Sequence, residues 1–247
     1  MKALTIGGRI NLLAVVTIAG LLSIAGLSLL RLDAALRQEI ADSTQRSVEI
    51  AHSVVADFQA QEAAGRLSRE EAQAAAKAAV GAMRYGSGDY FWINDTHPKM
   101  VMHPIKPELN GTDISQNKDA NGVLMFQKMV DVVAAEGAGF VAYDWAKPGE
   151  QAASPKISYV KGFAPWGWVI GSGVYTDQIA ATVGRAALAL GVMALVIAIL
   201  VGCSGWLIGR SVSQPVVMLG RRMRALADGD QQSDIPGLER RDEIGQM

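Results

Sequence analysis

Residues 89–104, DYFWINDTHPKMVMHP, set Tyr90, Phe91 and Trp92 beside two His-Pro pairs, His97-Pro98 and His103-Pro104. Such a stretch can wall a core, ligate a metal or haem, or line a pocket for a small molecule. In an extended chain alternate side chains share a face. Tyr90 and Trp92 therefore point one way and Phe91 and Ile93 the other. Further on, Tyr143 pairs with Trp145, and Tyr159, Lys161 and Phe163 share a face. The tips of these side chains are phenol hydroxyls, indole N–H groups, the His103 imidazole and the Lys161 ammonium, nearly all of which donate hydrogen bonds. An apolar body with a few convergent donors suits a small anion with a short carbon tail. A buried carboxylate also needs a cation or several donors to offset its desolvation. Lys161 and Arg84 are the cations expected, with His103 adding a charge-assisted donor. The candidate ligand-binding set is thus Arg84, Tyr85, Tyr90, Trp92, His103, Tyr143, Tyr159 and Lys161, and the ligand a C2–C4 monocarboxylate such as acetate, propionate, pyruvate or lactate. Phe91, Ile93, Phe140, Trp166 and Trp168 are assigned to core, Asp144 to the opposite solvated face, and His97 to a polar turn. Arg84 and Tyr85 have a structural alternative, closing a helix onto the sheet.

Other chemistries find less support. Of the histidines, His52, His97 and His103, none belongs to a Cys-x-x-Cys-His haem attachment or to a His/Cys/acid cluster with zinc spacing. No metal or cofactor is expected; a haem held by His103 with Met100 or Met102 is the remaining rival. No nucleophile–base pair or paired carboxylates mark a catalytic centre, so no enzyme activity is expected. Gly171-x-Gly173 lacks the third glycine of a phosphate loop and reads instead as a place of close strand packing.

Two uncharged runs decide where this chemistry sits. Ile10–Leu30 gives 21 residues and Ala186–Gly209 gives 24, each enough for a helix crossing a bilayer core of about 20 residues. The first exceeds a signal-peptide apolar region and lacks a small-residue cleavage site, so it reads as an anchor. Lys2 and Arg9 precede it, and Arg210, Arg221, Arg222 and Arg224 follow the second run. Both ends are therefore expected in the cytoplasm and residues 31–185 outside the membrane. That segment carries 15 Lys/Arg against 18 Asp/Glu, net −3, and offers no basic face to nucleic acid. The only cysteine, Cys203, lies in the second run, so no disulfide supports the outer segment.

Within 31–185 the periodicity changes once. Residues 31–64 lack Gly and Pro and read as an amphipathic helix ended by Gly65. Ser68 with Glu71 forms a capping box for a second helix over 69–83. Strand-like runs follow at 90–94, 100–103, 139–145, 156–163 and 168–175, interrupted by a helix over 121–136. This order predicts an α+β domain with a mainly antiparallel sheet packed against helices. Beyond the second span, Val216, Leu219, Met223 and Leu226 form a 3-4-3 seam after Pro215. Asp228-Gly-Asp230 ends it, and a connector through Ile235, Pro236 and Leu238 leads to Arg241-Asp-Glu-Ile-Gly245.

The segment 215–245 resembles a HAMP linker. YGSGDYFWIND, MVMHP, LNGTD, Asn121-Gly122, the YDW strand, SYVKGF and WGWVIGSGVY resemble a small single Cache domain of the carboxylate-sensing type. The resemblance implies a transmembrane chemoreceptor, a methyl-accepting chemotaxis protein, truncated before its output domain. It also implies a PAS-like sheet with a pocket, a homodimer, and cytoplasmic chemotaxis proteins as partners. A sensor histidine kinase input region is the alternative. The expected layout is a cytoplasmic tail over 1–9, spans at 10–30 and 186–209, a Cache sensor over 31–185 and a partial HAMP linker over 210–247.

Overall fold

The computed structural model describes residues 6–86, 88–230, 232, 234, 237, 239–242 and 244–246. The connector positions Ile235, Pro236 and Leu238, and Glu243 of the Asp-Glu-Ile-Gly motif, lie outside the described residues. The chain divides into two compact units, one over Leu32–Val183 and one formed by the segments before and after it.

Helix α1, Ile6–Ala63, stops where Gly65 turns at φ +69°. Helix α2, Arg69–Ala82, opens with the expected reciprocal cap: the Ser68 hydroxyl accepts the Glu71 amide at 3.2 Å, and the Glu71 carboxylate accepts the Ser68 amide at 2.8 Å. The strands are β1 (Arg84–Tyr85), β2 (Asp89–Asp95), β3 (Met100–Met102), β4 (Ala138–Ala146), β5 (Ala153–Phe163) and β6 (Trp168–Tyr175). They pair antiparallel throughout, in the order β1-β2-β6-β5-β4, with β3 on β2. Pro155 is tolerated inside β5 because the β6 pairing begins only at Lys156, so no partner awaits its missing N–H on that side.

The sheet is covered on both faces. On one, Phe91, Ile93, Tyr159, Phe163, Trp168 and Ile170 pack with Val48, Ala51 and Val55 of α1 and Ala72, Ala76 and Val80 of α2. On the other, Tyr90, Trp92, Val141, Tyr143, Val160 and Val169 pack with Met125, Phe126, Met129 and Val130 of helix α3, Met125–Glu136. Phe140 departs from expectation at 38% exposure. It sits on edge strand β4, with the Tyr159 ring 4.8 Å away. The helix expected over 121–136 begins at Met125, because Asp119 captures the chain before it. Its carboxylate accepts the amides of Asn121 and Val123, holding a turn completed by Gly122 at φ +81°.

Helix α4, Asp177–Ile208, passes through a π-helical turn, Gly209–Ser213, into α5, Gln214–Ala227. Pro215 explains the distortion, since it cannot donate to the carbonyl of Ser211. That carbonyl instead accepts from the Arg240 guanidinium at 2.8 Å. The segment ends at Gly229, φ +99°, as its sequence implies. Both α1 and the α4–α5 run contain stretches long and apolar enough to cross a membrane.

Candidate ligand-binding site

Strand parity builds the site. On the α3 face, β2 presents Tyr90 and Trp92, β4 presents Tyr143 and Trp145, β5 presents Lys156 and Ser158, and β6 presents Gly171, Gly173 and Tyr175. Lys156 lies directly across from Tyr143 on one side and Tyr175 on the other. Its side chain is buried, 2% exposed, and its ammonium sits 4.3 Å from the centre of the Tyr90 ring, 4.9 Å from that of Tyr175 and 5.6 Å from that of Trp92. Its hydrogen-bond partner is the Tyr90 hydroxyl, at 3.3 Å. Among the described residues no carboxylate lies within 4.0 Å of it. Burial pushes its pKa down to about 7, against a smaller upward pull from Asp89.

His103 closes the ring of donors. It is buried, with its imidazole 5.1 Å from the Tyr90 ring and 6.0 Å from the Trp145 ring. Its Nδ1 accepts the amides of Ile105 and Lys106, at 3.3 and 2.9 Å. Nδ1 is therefore unprotonated, and the neutral ring carries its proton on Nε2. Burial, then Lys156, then Lys106 hold its pKa down, to about 3. The expected charge-assisted donor is thus corrected to a neutral N–H donor. The Tyr143 hydroxyl is 2.9 Å from the Ser158 hydroxyl, and the Tyr175 hydroxyl donates to the Ala146 carbonyl at 2.8 Å. An open cleft of about 510 Å³ reaches this cluster at Asp89 and Tyr175, bounded further by Lys147, Gly86 and Ile40. The cleft is the approach rather than the donor ring itself.

Gly171 and Gly173 make room for two side chains of the site. A Cβ at Gly171 would lie 2.4 Å from Trp92 Cζ2, and one at Gly173 would lie 2.0 Å from Ser158 Oγ. Those absent side chains let the indole and the hydroxyl occupy their places.

Of the eight residues singled out from sequence, the fold gathers Tyr90, Trp92, His103 and Tyr143. The other four are elsewhere. Arg84 is exposed and donates to the carbonyls of Gly81 and Met83 at 2.8 and 2.6 Å, which is the helix-closing role. Tyr85 packs on Phe91 and shares a 2.7 Å hydrogen bond with Ser172, on the α1/α2 side. Tyr159 belongs to that same side. Lys161, two residues along β5 from it, shares its parity and lies near enough to His52 to depress that imidazole's pKa, after burial. Lys156, Ser158 and Tyr175 join the site only in the structure, and Trp145, read from the sequence as sharing a face with Tyr143, stands beside them. Met100 and Met102 belong to opposite cores, and among the described residues no cluster of three or more His, Cys, Asp or Glu could hold a metal.

The positioning of His103 is directly testable. Its amide donates to the carboxamide oxygen of the exposed Asn110 at 2.7 Å. Asn110→Ala should destabilise the chain by about 0.5–1.5 kcal/mol, the net contribution of one hydrogen bond. Asn110→Asp, which keeps an acceptor, should recover most of the melting temperature measured by circular dichroism.

An antiparallel sheet with a buried cluster of donors, α1 and α2 on one face and α3 on the other, in a chain with two candidate spans, fits an extracytoplasmic sensor domain. The single Cache domain 2 family model matches residues 36–187, and the HAMP domain model matches residues 207–247. The chain belongs to the single Cache domain 2 family. It is 40% identical over 230 residues, 93% of its length, to the methyl-accepting chemotaxis protein McpP of Pseudomonas putida, and spans 42% of that protein. A solved periplasmic sensor domain of a chemotaxis protein is 48% identical, with a TM-score of 0.56, over 57% of this chain and 98% of that one. A Cache chemosensory domain solved for carboxylic acid recognition is 45% identical, with a TM-score of 0.57, over 58% of this chain and 98% of that one. The sensor unit thus belongs in the periplasm and its flanking spans in the inner membrane.

Proposed function

We propose that this chain is the input half of a chemoreceptor whose sensor unit binds a C2–C4 monocarboxylate, with Lys156 as the anchor of the carboxylate. The observation that carries the reading is the buried ammonium of Lys156, which no carboxylate neutralises within salt-bridge distance among the described residues. Such a charge is costly unless a counter-ion reaches it. The neighbouring Tyr90, Tyr143 and Ser158 hydroxyls and the neutral His103 N–H supply donors for two carboxylate oxygens. Trp92, Trp145 and Phe126 bound the space beyond with buried or half-buried rings, which limits the tail to a few carbons. The relative solved for carboxylic acid recognition supports the same ligand class.

Signalling follows from differential affinity. Tyr175 ends β6 and Asp177 begins α4, so a ligand preferring one position of β6 would bias the helix after it. Action on cytoplasmic chemotaxis proteins, in line with the methyl-accepting chemotaxis relative, and assembly as a homodimer complete the proposal.

The test is calorimetric titration of the chain in lipid nanodiscs with acetate, propionate, pyruvate and lactate, with propionamide, amino acids and polyamines as controls. Short acids should bind and propionamide, which has the shape without the charge, should not. Heat from amino acids or polyamines alone would remove the reading.

A further inference from the structure

We propose that a carboxylate ligand and a proton enter this site together: Lys156 gives up its proton in the empty pocket, and an arriving carboxylate restores it. The inference rests on the carboxylate reading and adds to it a dependence of sensing on pH.

The geometry sets up the coupling. Three aromatic rings enclose the ammonium, one hydroxyl at 3.3 Å accepts from it, and the side chain is almost wholly buried. Desolvation penalises the charged form of an amine and leaves the neutral form almost untouched. A carboxylate bound against Nζ reverses that preference, because the pair is then far more stable than either ion alone.

The groups facing Lys156 from each packed element leave it as the one that titrates. From β2 come Tyr90, whose hydroxyl burial pushes up to about 12, and Asp89, whose carboxyl burial raises against the opposing pull of Lys156. From β4 comes Tyr143, with Lys147 at its end paired to Asp177, and from β6 comes Tyr175. Both phenols are held well above their ordinary range by burial. From the segment after β3 come His103, neutral down to about pH 3, and Lys106, whose ammonium lies 4.4 Å from the centre of the Trp145 ring. Between the neutral His103 imidazole and the raised phenols stands Lys156, at about 7. A short acid is ionised throughout that window, its own pKa being near 4.

The sign follows. Below about pH 7 the lysine is already protonated, binding takes up no proton, and affinity is flat. Above it, each pH unit costs up to about tenfold in affinity, so the dissociation constant for propionate should rise about 100-fold from pH 6 to pH 9. A receptor of this kind reports a carboxylate together with the acidity it arrives in.

The experiment is titration of the full chain in nanodiscs with sodium propionate at pH 8, in phosphate and in Tris. These buffers differ strongly in ionisation enthalpy. The heats should differ between them by an amount matching uptake of most of one proton per propionate. Equal heats with binding intact would overturn the proton coupling and leave the carboxylate reading standing. No binding of any short acid at pH 6 would overturn both. Lys156→Arg supplies a permanently charged side chain. It should bind propionate with no buffer dependence, and a buffer dependence surviving in it would place the proton elsewhere and overturn the assignment.

Discussion

Lys156→Met is expected to abolish carboxylate binding while making the unliganded chain more stable. Methionine is unbranched, apolar and adaptable, so it can follow the path of the lysine stem among Tyr90, Trp92 and Tyr175. Removing one partner of a buried charge pair costs about 2–5 kcal/mol of binding, or roughly 30- to several-thousand-fold. Without ligand the balance reverses, because the native state no longer carries a desolvated ammonium. The folded-state pKa of about 7 lies below the value of 10.5 expected when the side chain is exposed. The destabilisation is therefore full below about pH 7, shrinks as pH rises, and vanishes above the unfolded value. The variant should melt several degrees above wild type at pH 6, with a narrower gap at pH 9. Tryptophan fluorescence can follow this, since four of the five tryptophans lie in the sensor unit. A variant less stable than wild type at pH 6, or one that still binds propionate, would rule out Lys156 as the unpaired anchor.

The prominence of Lys156 shows where sequence reading met its limit. Spans, capping box and strand-rich segment are local patterns, and residue types alone reveal them. Parity within β5 is legible too: Tyr159, Lys161 and Phe163 do share a face. What no single strand records is which face meets which layer. Both faces of β5 are buried, Tyr159 under α1 and α2 and Val160 under α3, so the usual contrast between an apolar and a polar side is missing. The register decides the matter, since Lys156 lies across from Tyr143 and Tyr175, whereas Lys161 lies across from Ala138 and Ile170. A lysine beside Pro155 at a strand entrance looks solvated in isolation and becomes buried only through pairings made at a distance. His103 and Tyr90 were identifiable because polar-tipped rings need partners when buried. The tautomer of His103 was not, because it depends on two backbone amides that turn back after Pro104.

The second large effect concerns the floor of the pocket. Gly171→Ala would place a methyl group 2.4–2.8 Å from Cζ2, Cε2 and Cη2 of Trp92, which is 2% exposed and has no free space to move into. Overpacking of this kind costs about 1–3 kcal/mol. It should also tilt the indole toward Lys156 and weaken propionate binding. Trp92→Phe acts in the opposite sense: it removes those three atoms and the 3.1 Å hydrogen bond to the fully buried Asn94, leaving a cavity and an unpaired carbonyl. A loss of about 2–4 kcal/mol follows from the lost packing and the lost bond. Together the two changes should cost less than their sum, because the new methyl occupies volume that the indole has vacated. A coupling of about 1–2 kcal/mol in a double-mutant cycle, read by chemical denaturation, is the expected result. Strict additivity would mean that Gly171 answers to the strand backbone rather than to Trp92. Coupling would establish that Gly171 is the notch in which the indole sits, the close strand packing that its sequence implies.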